Sequence, residues 1–194
     1  MNELTIKIIF MVLYVIAAAT RAPYAQKVKK FKVKTSKRKV IEILLMFPIA
    51  LGLMILPLFY VFSDWLNSFN MDLPVWLRII GVIGFAFAVF MHGWSHVALK
   101  TNWSPLLEIK EEQKLITTGP YKYIRHPMYT AFWLWAIFQG ISLSNWLVLA
   151  IGILSFGIMY FARVKHEEQL MIEEFGEEYK AYMKKTGRLF PKII

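Results

Sequence analysis

The sequence predicts an all-α integral membrane protein of about five transmembrane helices, and three observations carry that prediction. Hydrophobic residues make up 57% of the 194-residue chain and charged residues 19%, whereas soluble domains run at about 45–50% and about 25%. A globule of this length has too little interior for 15 Phe, 7 Trp, 9 Tyr and 10 Met besides its aliphatic residues, so lipid must cover the remainder. The second observation is a set of uncharged stretches at 8–20, 43–63, 79–99 and 128–162, against the roughly 20 apolar residues a helix needs to cross a bilayer. The third is the sorting of charge: 21 of the 23 Lys and Arg residues fall in 21–39, 99–128 and 163–194.

In chain order, the first span is placed at 4–20 and tolerates Lys7. It lacks the basic leader and small-residue cleavage site of a signal peptide, since Arg21, Pro23 and Tyr24 follow it, so it reads as a retained helix. Spans at 41–62 and 76–98 are clear from length alone. The 35 residues of 128–162 exceed one crossing and fall slightly short of two, and Ser142, Ser144 and Asn145 near the middle supply a turn. A tight hairpin of spans 128–141 and 145–162 results. Beyond it, Met171, Phe175, Tyr179 and Tyr182 recur at helical spacing, predicting an amphipathic helix over 163–186 that ends at Gly187 and Pro191. Before the hairpin, the run from Lys114 to Thr118 is β-prone and closes on the Gly119-Pro120 turn signal, predicting a short strand. With five crossings the three basic segments share one side, which the positive-inside rule makes cytosolic, with the N-terminus outside.

Net charge of +10 distributed in this way points to a membrane surface and not to nucleic acid. With no cysteine, disulfides, thiolate nucleophiles and Cys-ligated metals are excluded. His92 and His96 stand at i and i+4, a spacing that suits a metal. No acidic or third His partner lies nearby in sequence, so they read as interfacial histidines and no metal is expected. Pro127 at a helix start puts His126 in the N-cap region of the fourth span, where free N–H groups and the positive helix end favour an anion, the alternative being that Arg125 and His126 face lipid headgroups. Tyr160, Arg163 and Glu167 share a helical face, so an Arg163–Glu167 pair is expected at the membrane edge. The hairpin returns to the side it left, so the His126 and Arg163 clusters should meet.

The run Thr118-Gly119-Pro120-Tyr121-Lys122-Tyr123-Ile124-Arg125-His126-Pro127-Met128-Tyr129, then Arg163 with Glu167-Glu168-Gln169-Leu170, then Phe175-Gly176-Glu177-Glu178-Tyr179-Lys180-Ala181-Tyr182, resembles the isoprenylcysteine carboxyl methyltransferase family, in particular a prokaryotic, archaeal member. Lys100-Thr101-Asn102-Trp103-Ser104 extends the likeness, so it covers roughly 98–191. The wider superfamily includes phospholipid N-methyltransferases and, more remotely, NADPH-dependent sterol reductases. The resemblance implies an S-adenosylmethionine-dependent membrane enzyme, in a prokaryote at the plasma membrane, methylating the α-carboxylate of a prenylated cysteine or a similar lipid-attached acceptor. It implies a cytosolic cofactor pocket made by the 99–128 loop and the amphipathic C-terminal helix. By carry-over the pocket residues are Gln113, Leu115, Thr118, Gly119, Tyr121, His126, Pro127, Tyr129, Glu167, Glu168 and Leu170. Arg163 is the residue expected to orient the acceptor carboxylate, and Glu167 or Glu168 would serve as base if the acceptor were an amine. Lipid and a lipidated substrate are the expected partners. No βα alternation with a Gly-rich loop is present, so a soluble Rossmann-type cofactor site is not expected.

Overall fold

The uncharged stretches become helices because no charge or turn signal interrupts them and a spanning helix satisfies its own backbone polar groups. The computed structural model describes residues 2–28, 33–35, 39–110 and 113–192. Its helices are α1 (Glu3–Val28), α2 (Lys39–Ala50), α3 (Leu56–Phe62), α4 (Val75–Leu99), α5 (Pro127–Leu143) and α6 (Trp146–Lys185). A π-helical turn over Leu51–Ile55 joins α2 to α3, so the second span is one interrupted rod. Its cause lies in the sequence: Pro48 has no N–H to donate within α2, and Pro57 opens α3. At the turn, Gly52 lets three helices approach. A Cβ there would stand 2.2 Å from Ser155 Oγ of α6, and the Gly52 carbonyl accepts from Gln139 Nε2 of α5 at 3.0 Å.

Among the described residues four helices are long and apolar enough to cross a membrane, over Glu3–Lys27, Val40–Phe62, Val75–Asn102 and Trp146–Lys185. The outward faces of these helices carry Ile8, Val12, Leu44, Phe47, Phe87, Phe90, Ile158 and Phe161 in exposed positions, as lipid contact requires. The protein is an integral membrane protein. Helix α5 has 17 residues, about 26 Å at 1.5 Å per residue, and it packs inside the bundle against α4 and α6. The α5–α6 turn forms where the serines and asparagine predict it. Ser144 takes the left-handed conformation, and Asn145 caps α6 by accepting from the Val148 N–H at 3.1 Å.

Two expectations change. The last span and the amphipathic helix are not separate elements: α6 runs unbroken across residue 163 for 40 residues, interrupted only at Gly176 (φ 55°, ψ −127°). Arg163 favours helix and nothing near it stops one, so the helix continues past it without a turn. The expected strand at 114–118 is not a strand. Its backbone finds a side-chain partner instead, Lys114 N donating to Asn102 Oδ1 at 2.9 Å, and Leu115 and Ile116 face a cavity. The strand in this region is β2 (Ile109–Lys110), antiparallel to β1 (Val33–Thr35). Most of the basic arm beyond Lys27 lies outside the described residues.

Candidate active site

Where α5 begins and α6 emerges, the chain is drawn together by its own backbone. Arg125 N donates to Gly187 O at 2.9 Å and His126 N to Arg188 O at 3.1 Å, so the segment after α6 folds back on the segment before α5. Tyr182 Oη donates to Tyr121 O at 2.6 Å, and Thr130 Oγ1 to Leu189 O at 2.7 Å. Arg125 also donates to the carbonyls of Met183 and Thr186 from Nη1. The end of α6 is thereby fastened across the 119–126 turn.

The two clusters expected to meet do so. His126 lies between two carboxylates, with Nδ1 3.6 Å from Glu167 Oε1 and Nε2 3.4 Å from Glu168 Oε1, and its ring stacks on Tyr129 at 5.2 Å. Tyr129 Oη donates to Glu167. Burial pulls the His126 pKa down, yet the hydrogen bonds and charges of Glu167 and Glu168 outweigh it and leave it raised. The same contacts hold Glu167 below the usual carboxylate range against the opposing effect of burial, with help from Arg163 and Tyr129. Glu168 is likewise lowered against burial, by His126, Arg188 and Arg125. It accepts from Arg125 Nε at 3.0 Å and from Arg188 at 3.1 Å and 2.5 Å. The cationic side chains just ahead of α5, Arg125 and His126, are therefore met by the protein's own Glu168.

Arg163 does not pair with Glu167. Its Nε lies 3.0 Å from Oε2 of Glu42, and its Nη1 donates to Pro105 O at 3.1 Å. The Glu42 contact is an ion pair without a well-directed hydrogen bond. The expected Arg163–Glu167 pair is displaced because Glu42, entirely buried on α2, demands a cation, while Glu167 already has His126 and Tyr129. Glu42 is the residue that the sequence reading passed over.

Beneath this cluster lies a cavity of about 730 Å³ between the helices and the 102–116 loop, within the roughly 300–1,000 Å³ of small-molecule sites. Of the expected site residues, Gln113, Leu115, Tyr121, His126, Tyr129, Arg163, Glu167 and Leu170 line it, and Thr118, Gly119, Pro127 and Glu168 do not. Met171, Tyr179 and Tyr182 of α6 line it too, while Phe175 does not. Among the spanning helices the wall is mostly apolar, with Ala17, Ala18, Met46, Leu53, Phe132 and Met159. His92 and His96 are not interfacial. They are buried on the cavity wall with Nε2 atoms 3.3 Å apart, and Tyr24 stacks on His96 at 4.9 Å. Among the described residues no group of three or more His, Cys, Asp or Glu could hold a metal.

The family model described as the isoprenylcysteine carboxyl methyltransferase (ICMT) family matches residues 79–173, which include α4 from Ile79 onward, the loop, α5 and α6 as far as Glu173. Protein-S-isoprenylcysteine O-methyltransferase of Xenopus laevis is 30% identical over 120 residues, covering 61% of this chain and 42% of that protein. The Saccharomyces cerevisiae protein of the same name is 31% identical over 139 residues, covering 69% and 57%. The chain thus spans about half the length of these relatives. A solved structure of the eukaryotic intramembrane Ras methyltransferase ICMT has the same fold, with a TM-score of 0.56 at 22% identity over 77% of this chain and 52% of that one. The matched segment is the one that builds the His126–Glu167–Glu168 cluster and carries Arg163, and the chain belongs to the isoprenylcysteine carboxyl methyltransferase family.

Proposed function

We propose that the protein is an S-adenosylmethionine-dependent methyltransferase that esterifies the α-carboxylate of a prenylated cysteine or a similar lipid-attached acid. The observation that carries this reading is the position of Arg163 on the wall of a cavity that is mostly apolar among the spanning helices and has Tyr121, Tyr179, Glu167 and Gln113 at its polar end. The polar end fits a methyl donor with a cationic sulfonium and an aromatic base. The Glu167 carboxylate and Tyr rings favour a cation, and Tyr121, Tyr179 and Tyr182 offer flat faces. When bound, such a donor supplies an electrophilic methyl group, transferred in line as one S–C bond breaks and one O–C bond forms.

The chain's own residues do the rest. His126 and Tyr129 hold the Glu167 carboxylate ionised and aimed, so it neutralises a cation at the polar end. Met171, Tyr179 and Tyr182 of α6 cover part of the cavity, and water excluded there by bound reactants would strengthen each of these interactions. Arg163 meets the acceptor carboxylate with charge-assisted hydrogen bonds, and the apolar end accepts the lipid tail. A carboxylate is ionised at neutral pH and requires no base, and holding both reactants in register is worth about 7–11 kcal/mol. An amine acceptor would need a base, and Glu167, held below the usual carboxylate range, is a weak one. This supports the carboxylate reading over a phospholipid amine. We place the N-terminus outside and the basic loops, with the site, in the cytosol, the fifth crossing being α5.

Calorimetry with S-adenosylhomocysteine and turnover of N-acetyl farnesyl cysteine test the division of labour. His126→Ala should raise the dissociation constant about tenfold or more, equivalent to about 1.4 kcal/mol. Arg163→Ala should leave it nearly unchanged while methyl transfer collapses, and Arg163→Lys should rescue little because a point charge lacks the guanidinium fork. Binding of NADPH in place of S-adenosylhomocysteine would overturn the reading.

A further inference from the structure

Glu42 is the one acidic residue between 40 and 62 in the second span, and it is fully buried. Ionisable side chains within a span are expensive to keep and are therefore functional candidates whose partner should be named. The partner here is Arg163, 121 positions away on α6, with Nε 3.0 Å from Glu42 Oε2. Glu42 does not line the cavity, whereas Arg163 does. The same guanidinium donates from Nη1 to Pro105 O at 3.1 Å. Two anchors, one from α2 and one from the loop after α4, thus fix an α6 side chain from different directions.

Stability alone does not account for the pair. A buried ion pair adds little over apolar residues of the same shape, because desolvating the two charges consumes most of the attraction. What it supplies is orientation. An arginine side chain has many rotamers, and a carboxylate behind Nε selects those that leave the rest of the fork directed at the cavity. It also sets charge. An acceptor carboxylate facing an isolated guanidinium in a low-dielectric cavity would be held at the cost of its nucleophilicity. Facing a guanidinium already shared with Glu42, it is aligned and keeps electron density on the attacking oxygen.

Resting on the carboxylate-acceptor reading above, we propose that Glu42 is a positioning residue for methyl transfer: by pairing with Arg163 from α2 it aims and partly neutralises the guanidinium that receives the acceptor carboxylate.

The test uses the full chain in detergent or nanodiscs, with N-acetyl farnesyl cysteine as acceptor. Glu42→Gln keeps the shape and removes the charge. It should lower kcat/KM at least tenfold while S-adenosylhomocysteine affinity by calorimetry stays within about twofold of the parent. Glu42→Asp, which keeps the charge and withdraws it by one methylene, should fall between parent and Glu42→Gln and keeps the question open to measurement if Glu42→Gln fails to fold. In an Arg163→Lys background Glu42→Gln should cause a much smaller further loss than in the parent, because the group it acts through is gone. Parental turnover in folded Glu42→Gln or in Glu42→Asp overturns the proposal. So does a loss of S-adenosylhomocysteine affinity that matches the loss of turnover, or an undiminished effect in the Arg163→Lys background. A parent that methylates no prenylcysteine carboxylate removes the substrate reading and this proposal together, whereas an active parent with an equally active Glu42→Gln removes the proposal alone.

Discussion

Adjacent carboxylates Glu167 and Glu168 occupy opposite sides of His126, and replacing each by Gln should separate their roles. Glu168 is 5% exposed, lies off the cavity wall and receives Arg125 at 3.0 Å, Arg188 at 3.1 Å and 2.5 Å, and His126 at 3.4 Å. Removing its charge leaves three cationic groups facing one another around an amide. Breaking a buried ion pair from one side costs about 3–5 kcal/mol. Arg188, with a side chain 40% exposed, can turn to solvent, so the lower end, about 3 kcal/mol, is the better expectation. For a chain of this length that corresponds to a melting shift of about 6–12 °C. Glu167 lines the cavity, with partners His126 and Tyr129. Glu167→Gln should lower the melting temperature less and weaken S-adenosylhomocysteine binding more. With seven Trp and no Cys, intrinsic fluorescence follows unfolding in detergent without a thiol dye. An unchanged melting temperature for ligand-free Glu168→Gln, with affinity lost tenfold, would put Glu168 in the binding site and refute the bracing role.

Thermal stability should also depend on pH in a fixed sense. His126 is raised above its ordinary 6.5, so the stability it lends is complete below that value and fades as pH rises through its raised one, and His126→Asn should flatten that alkaline decline. Glu167 and Glu168 are lowered, so their contribution is present above the usual carboxylate range and is lost only as pH falls through their depressed values. Gly176→Ala places a Cβ at φ 55° with nothing within 4 Å of it, so any loss is conformational. About 1 kcal/mol, or about 2–4 °C, is expected by scanning fluorimetry. For topology, single cysteines at the exposed Ser68 and Lys180 should label from outside only at Ser68, and labelling at Lys180 would invert or break the assignment.

The helices were legible because bilayer crossing imposes length and apolarity on sequence more strictly than packing in water does. The α5–α6 turn was legible for a different reason: Ser144 and Asn145 are the residues whose local chemistry permits a left-handed cap and then an N-cap. The strand went wrong at 114–118 because β-propensity describes a pleated, half-buried surface without specifying a partner. The partner, β1, pairs with Ile109–Lys110 instead. Continuity of α6 is not legible because polarity marks a change of surroundings without ending a helix. Helix persists wherever propensity is adequate and ends where Gly176 or a cap requires it.

The meeting of His126 with Glu167 and Glu168 could be inferred, since a hairpin returns its ends to one place. Arg163 shows the limit of that reasoning. Helical periodicity put Glu167 one turn from Arg163, and an i,i+4 pair on a surface would have formed. At the edge of a buried cavity the choice of partner is set by which charge is the more deeply desolvated. His126 and Tyr129 already satisfy Glu167, and Glu42 has no route to water. The guanidinium therefore goes to the acid with the larger desolvation penalty, although it lies on another helix. That preference had a trace in the sequence, a single acid three residues into the second span. Its partner could be identified only when α2 was seen against α6.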